Sequence, residues 1–200
     1  MHEEANPCQV LDVKIYLLLM KFIETQLSGS FVIEPRIFKD QRGFFSETYN
    51  KRVFDDNGFK IDFVQDNHSF SKEKGVLRGL HFQKPPYAQT KLVRTIRGSV
   101  YDVIVDLRKS SATFGKWIGI ELSSENMKML LVPKGFAHAF CTLEPESVVH
   151  YKVDEFYAPQ SESGIIWNDP ELDINWPFKN ILLSDKDRLL PLMSEIRDVF

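Results

Sequence analysis

Residues 75–91, GVLRGLHFQKPPYAQTK, set one histidine, two cations and several amides at close spacing. The stretch reads as strand, turn and strand. Leu77, Leu80 and Phe82 are its core-facing candidates, and Arg78, His81 and Gln83 are its polar members. A histidine between apolar neighbours on a strand points into one face of its sheet, which is either a satisfied interior or a pocket. Arg78 and Lys91 weigh towards the pocket, because buried cations are rare without an anion to meet. Such a pocket would hold an anion beside a ring that titrates near neutrality.

The elements that must position these groups are mostly strands. Residues 91–97 alternate as a strand should, Gly98 marks a turn, and residues 100–107 form the next strand. Residues 117–122, 128–132, 139–142 and 148–153 follow as strands, with 133–138 a turn leading into the third of these. Upstream, residues 31–38 read as a strand broken by Pro35, hence an edge strand or a bulge. Asp40 to Gly43 is a turn signal, followed by Phe44-Phe45 and Glu47. Residues 51–59 read as a short helix stopped at Asn57-Gly58. Residues 63–69 begin as a strand and turn polar, as the lining of a surface or site does. Asn168-Asp169-Pro170 and Trp176-Pro177 mark loops, and Ser184 is the candidate N-cap of a terminal helix. Many short strands with little helix between them predict an antiparallel sandwich or barrel.

Composition narrows the function classes. Two hundred residues fit one domain, and 43% hydrophobic with 26% charged residues is the balance of a soluble chain with a sizeable core. Sixteen Phe favour a β-rich interior or an aromatic-lined pocket. The net charge of −3 argues against general binding to nucleic acid. Cys8 and Cys141 are far apart and lack metal spacing, which fits a reducing cytoplasm. Residues 15–20 are apolar but too few to span a membrane, and Glu3, Glu4 and Asp12 do not suit a signal peptide. Residues 1–19 read as an extension, either upstream of a functional start at Met20 or an added edge strand. Residues 20–200 read as a single domain.

Two spacings resemble the cupins. Gly75, five residues and His81 match the opening of the first cupin motif, and Pro133-x-Gly135-x-x-His138 the core of the second. Metal-binding cupins place a second His two positions after the first, and then a Glu. Gln83 takes that place here, and no acid occurs between His81 and Lys91, so no metal is expected. A closer resemblance covers nearly everything from Lys21 onward. DQRGFFSETYN, FVQDNHS, GVLRGLHFQ, AQTKLVR, FGKWIGIELS, PKGFAHAF, IIWNDP and LSDKD occur in the order found in the dTDP-4-dehydrorhamnose 3,5-epimerases, a metal-free cupin family. The resemblance implies an all-β, cupin-type double-stranded β-helix jelly roll with a few short helices. It also implies a homodimer that acts on a dTDP-4-keto-6-deoxy sugar without a cofactor.

It further implies the site. His81 is the base, oriented by Asp187 rather than by the more conspicuous Asp169, in the manner of a protease triad. Tyr151 is the proton donor on the opposite face, although a strand tyrosine is usually packing. Lys91 stands at the enolate oxygen, although a strand lysine is most often solvated. Arg42 and Arg78 would meet diphosphate or sugar. Phe45, Glu47, Gln65, Asp66, Asn67, His138, Glu162 and Lys186 complete the contact set, some of it across the dimer interface. Thr90 departs from the family's usual Gly, and Phe156 replaces one of two paired tyrosines. Rival readings are a mono-epimerase or ketoisomerase on a dTDP-keto-sugar, a cupin that only binds a nucleotide sugar, and, last, a metal-dependent oxygenase.

Overall fold

The computed structural model describes residues 20–196 and 200, so the expected extension at residues 1–19 lies outside them. Two antiparallel sheets face each other. The first runs in the order β1 (Met20–Glu24), β2 (Phe31–Pro35), β10 (Met129–Val132), β7 (Lys91–Arg97), β12 (Ser147–Val153), β5 (Gln65–Ser71). The second runs β13 (Glu162–Gly164), β6 (Leu77–Gln83), β11 (Phe136–Thr142), β8 (Ser99–Asp106), β9 (Trp117–Ser123). A separate hairpin joins β3 (Ile37–Asp40) to β4 (Gly43–Ser46). The helices are short: α1 (Lys51–Asp56), α2 (Asp185–Arg188) and two 3₁₀ turns at Pro159–Ser161 and Met193–Glu195. No helix among the described residues is long and apolar enough to cross a membrane.

Strands β8, β10 and β11 are buried on both faces along nearly their whole length and so are mostly apolar rather than alternating, whereas β5 alternates half-buried and exposed positions. Val93, Val100, Ile104, Leu130, Phe136 and Val149 pack between the sheets. Val103, Val105, Ala137 and Ala139 point the other way, under Ile165, Leu172 and Met193 from the C-terminal segment. On the outer face of the first sheet, Leu92, Met129 and Leu131 pack against Val53 and Phe54 of α1. Asn50 caps that helix by accepting from the Arg52 and Val53 N–H groups, and Gly58, at φ +89°, follows its end. Phe63 joins the same aromatic cluster, 5.3 Å from Tyr49, and β5 begins at Gln65, which pairs with Val153, the last residue of β12.

Two further expectations change. β2 is not an edge strand, since it pairs with both β1 and β10; Pro35 is tolerated because it is the strand's last residue. The predicted turn at 133–138 is shorter, and β11 already begins at Phe136.

One irregularity decides which side chains of β6 reach the space between the sheets. His138 pairs with His81, yet Phe140 pairs with Arg78, so β6 carries one extra residue between them. Strict alternation would send Arg78 and His81, three positions apart, to opposite faces. The bulge reverses the parity and turns both inward. Gly79 makes this fit: its φ is +116°, and a Cβ there would lie 2.5 Å from the His138 carbonyl oxygen. Gly79→Ala is therefore expected to lower the unfolding free energy by about 2 kcal/mol or more, as read by chemical denaturation. An unchanged midpoint would refute this packing.

Candidate active site

Inward-facing polar residues at one end of the sandwich line a cavity of about 690 Å³, a size suited to a small-molecule ligand. Gln65, Asn67, Lys91 and Tyr151 come from the first sheet, and Arg78, His81, Gln83 and His138 from the second. Lys186 and Asp187 come from α2.

His81 Nε2 lies 2.7 Å from Asp187 Oδ1. The other carboxylate oxygen accepts the Gly79 N–H at 3.3 Å, and Ser184 caps α2 by accepting the Asp187 N–H at 3.1 Å. Burial works to raise the Asp187 pKa, but His81, Gly79 and Ser184 outweigh it and hold the carboxyl below its ordinary value. An ionised Asp187 can only accept, so Nε2 carries the ring proton and Nδ1 is left as the acceptor. The ring is about one-third exposed, and the carboxylate is nearly fully buried.

Lys91 is buried and donates to the His81 carbonyl oxygen at 3.3 Å. Burial drives its pKa down to about 8, against the pull of Asp102 and Glu162. Tyr151 faces the same space from β12. Its phenol is pushed up, mainly by burial, so it remains a proton donor at neutral pH. Arg78 donates to Ser71 Oγ and to the Phe70 carbonyl. Neither of these partners is a carboxylate. Lys186 is tied to Glu162 at 2.5 Å, and Tyr157 donates to the same carboxylate at 2.8 Å.

His138, opposite His81 in the ladder, has a carboxylate of its own: its Nε2 lies 3.0 Å from both oxygens of Asp102. The sequence reading missed Asp102. Its signal was a carboxylate within the apolar β8 strand, where a buried charge requires a partner. Gln83 and Tyr157 were also absent from the expected site.

Other expected residues are not brought to this cavity. Asp66 lies between Gln65 and Asn67 on β5 and so points to the outer face, where it pairs with Lys152 at 2.9 Å. Arg42 pairs with Asp40 on the β3–β4 hairpin. Phe45 is exposed on that hairpin, and Glu47 accepts from the Asn50 side chain. Asp169 is buried elsewhere, accepting the N–H groups of Glu171, Leu172 and Met193. Among the described residues no group of three or more His, Cys, Asp or Glu is placed to hold a metal ion. Burial pushes the Cys141 thiol up to about 11, so it is no nucleophile at neutral pH.

A family model described as dTDP-4-dehydrorhamnose 3,5-epimerase matches residues 24–195. The enzyme of that description from Shigella flexneri is 54% identical over 169 residues, 84% of this chain and 93% of its own. The crystal structure of the Bacillus anthracis str. Ames enzyme with TDP and PPi bound superimposes with a TM-score of 0.85. It is 58% identical and covers 86% of this chain and 99% of that one. The Legionella pneumophila 3,5-epimerase in complex with dTDP-4-keto-L-rhamnose gives a TM-score of 0.84 at 45% identity, covering 88% and 94%. The two facing sheets are thus the cupin-like jelly roll of these enzymes.

The His81–Asp187 geometry makes a prediction independent of turnover. Long-range proton–nitrogen NMR should find the His81 proton on Nε2 in the parent chain. In Asp187→Asn that tautomer preference should be lost while the fold is kept. A proton fixed on Nδ1 in the parent would contradict the assignment.

Proposed function

The chain belongs to the dTDP-4-dehydrorhamnose 3,5-epimerase family, whose members are isomerases of dTDP-linked sugars, and we propose that it converts dTDP-4-dehydro-6-deoxy-D-glucose to dTDP-4-dehydro-L-rhamnose. One observation supports the mechanism: His81, oriented by Asp187 of α2, and the protonated phenol of Tyr151 face one cavity from opposite sheets. His81 Nδ1 takes the proton from the carbon beside the ketone, and the C–H electron pair moves into an enolate. Asp187 stabilises the imidazolium. Tyr151 returns a proton on the opposite face, which inverts the carbon. Once the imidazolium has given its proton to solvent and the Tyr151 phenolate has taken one back, the sequence repeats at the carbon on the other side of the ketone. Only protons move, so the scheme calls for no redox carrier.

Lys91 supplies the charge for the enolate oxygen. A buried ammonium favours the charged intermediate over the neutral ketone, which lowers the barrier and does more than tighten binding. Arg78 meets the diphosphate with its remaining donors. Gln65, Asn67, His138, Glu162 and Lys186 make the remaining contacts within the chain. Arg42, Phe45 and Glu47 sit on or beside an exposed hairpin, and we assign them to the cavity of a second copy in a homodimer. Asp66, turned outward and paired with Lys152, is left out of the set.

Turnover in deuterated water should place deuterium at both C3 and C5; label at one carbon only would make the protein a mono-epimerase. His81→Ala should lower kcat by about 10²–10⁴-fold, and turnover near that of the parent would leave only a binding protein. The pH profile follows from the Lys91 pKa of about 8. Because burial depresses it, the charge is present below that value and lost above it. The free-enzyme kcat/KM should therefore fall as pH rises through about 8, and Lys91→Met should be slow and lack that limb.

A further inference from the structure

Tyr157, half exposed, lines the cavity at its mouth, and three glutamines hold its segment, residues 155–158 after β12, by the main chain. Gln89 Nε2 donates to the Glu155 carbonyl at 2.8 Å. Gln65 Oε1 accepts the Tyr157 N–H at 3.1 Å. Gln83 does the most. Its Nε2 donates to the carbonyls of Tyr87, at 2.7 Å, and Phe156, at 3.1 Å. Its Oε1 accepts the Ala158 N–H at 2.7 Å.

Gln83 is 4% exposed. Both amide hydrogens and the carbonyl oxygen thus have main-chain partners, as a buried amide requires. The side chain bridges three pieces of backbone: β6, the turn between β6 and β7, and the segment after β12. That segment carries Tyr157, whose hydroxyl bonds Glu162, and Glu162 in turn holds Lys186. Phe156 and Tyr157 are themselves 62% and 54% exposed, so burial of their own rings does little to fix them.

We propose that Gln83 is a positioning residue that anchors residues 155–158 at the mouth and thereby sets affinity for the nucleotide sugar, not the rate of proton transfer. The separation has a structural reason. Asp187 has its own anchors in the Gly79 N–H and the Ser184 cap, so the dyad does not depend on the segment. The statement about affinity rests on the epimerase reading; the anchoring does not.

The test compares the parent with Gln83→Leu, which removes all three bonds at similar volume, and Gln83→Glu, which keeps only the acceptor for the Ala158 N–H. In Gln83→Leu the Ala158 amide should exchange with deuterium about tenfold faster or more. The dissociation constant for dTDP by calorimetry, and KM with it, should rise about tenfold. Both kcat and the pH profile should stay within about threefold of the parent. Gln83→Glu should fall between the two in amide exchange at Ala158. A folded Gln83→Leu with unchanged exchange, or with kcat lost at constant KM, overturns the proposal. Should Gln83→Leu not fold, Gln89→Leu, which loses only the Glu155 bond, must shift KM in the same direction by a smaller factor; no shift overturns it. A parent chain that leaves the keto-sugar unlabelled refutes the epimerase reading alone, because amide exchange and dTDP binding still test the anchor.

Discussion

One carboxylate ties together parts of the chain that lie more than one hundred residues apart. Asp187 accepts from the His81 ring and from the Gly79 main chain, so the bulge of β6 and the C-terminal helical turn are set against each other by the same group. The bulge makes this possible: it turns His81 and Arg78 to the same side and frees the Gly79 N–H from the ladder. The carboxylate in turn satisfies that freed donor, which would otherwise be costly in so buried a place. Ring orientation, tautomer and bulge are thus one cooperative arrangement rather than three separate features.

The rest of the sandwich sustains a polar cavity inside a β structure. Desolvation penalises Lys91 and its neighbouring carboxylates, and each is met by a specific partner or by the field of its neighbours. Asp102 is held against His138, and Glu162 against Lys186 and Tyr157. Apolar packing between the sheets, behind the second sheet and under α1 offsets this cost. Lys91 is the group most affected by the balance: neutral or charged according to conditions near its depressed pKa, it makes the cavity's field responsive to pH.

The position of Gln83 connects chemistry to architecture. In the cupin pattern that this chain resembles, a second histidine of a metal site would stand there. Here an amide stands instead and is directed wholly to main-chain groups. Proton transfer at carbon needs an oriented base and a charge near the oxyanion, and in the mechanism proposed above Lys91 supplies that charge.

Much of this was legible from residue order. Residues 91–97 form β7 as read, although Lys91, Leu92 and Val93 are all buried and the expected alternation is not kept; Ser184 caps the terminal helix because its hydroxyl reaches a first-turn N–H whatever the surroundings. Asn57-Gly58 ends α1 for an equally local reason. Which face a residue occupies was less legible. Asp66 follows the two-residue period to the outer surface, whereas Arg78 departs from that period because a bulge intervenes, and nothing in the local pattern marks the extra residue. Pairings were least legible of all. Asp102 with His138, and Gln83 with Phe156 and Ala158, join strands far apart along the chain. Sequence by itself determined the elements and the stock of chemical groups, since turns, caps and alternation act over a few bonds. Tertiary structure alone decided which groups meet, because a hydrogen bond depends on ångström distances that only the register of distant strands can set.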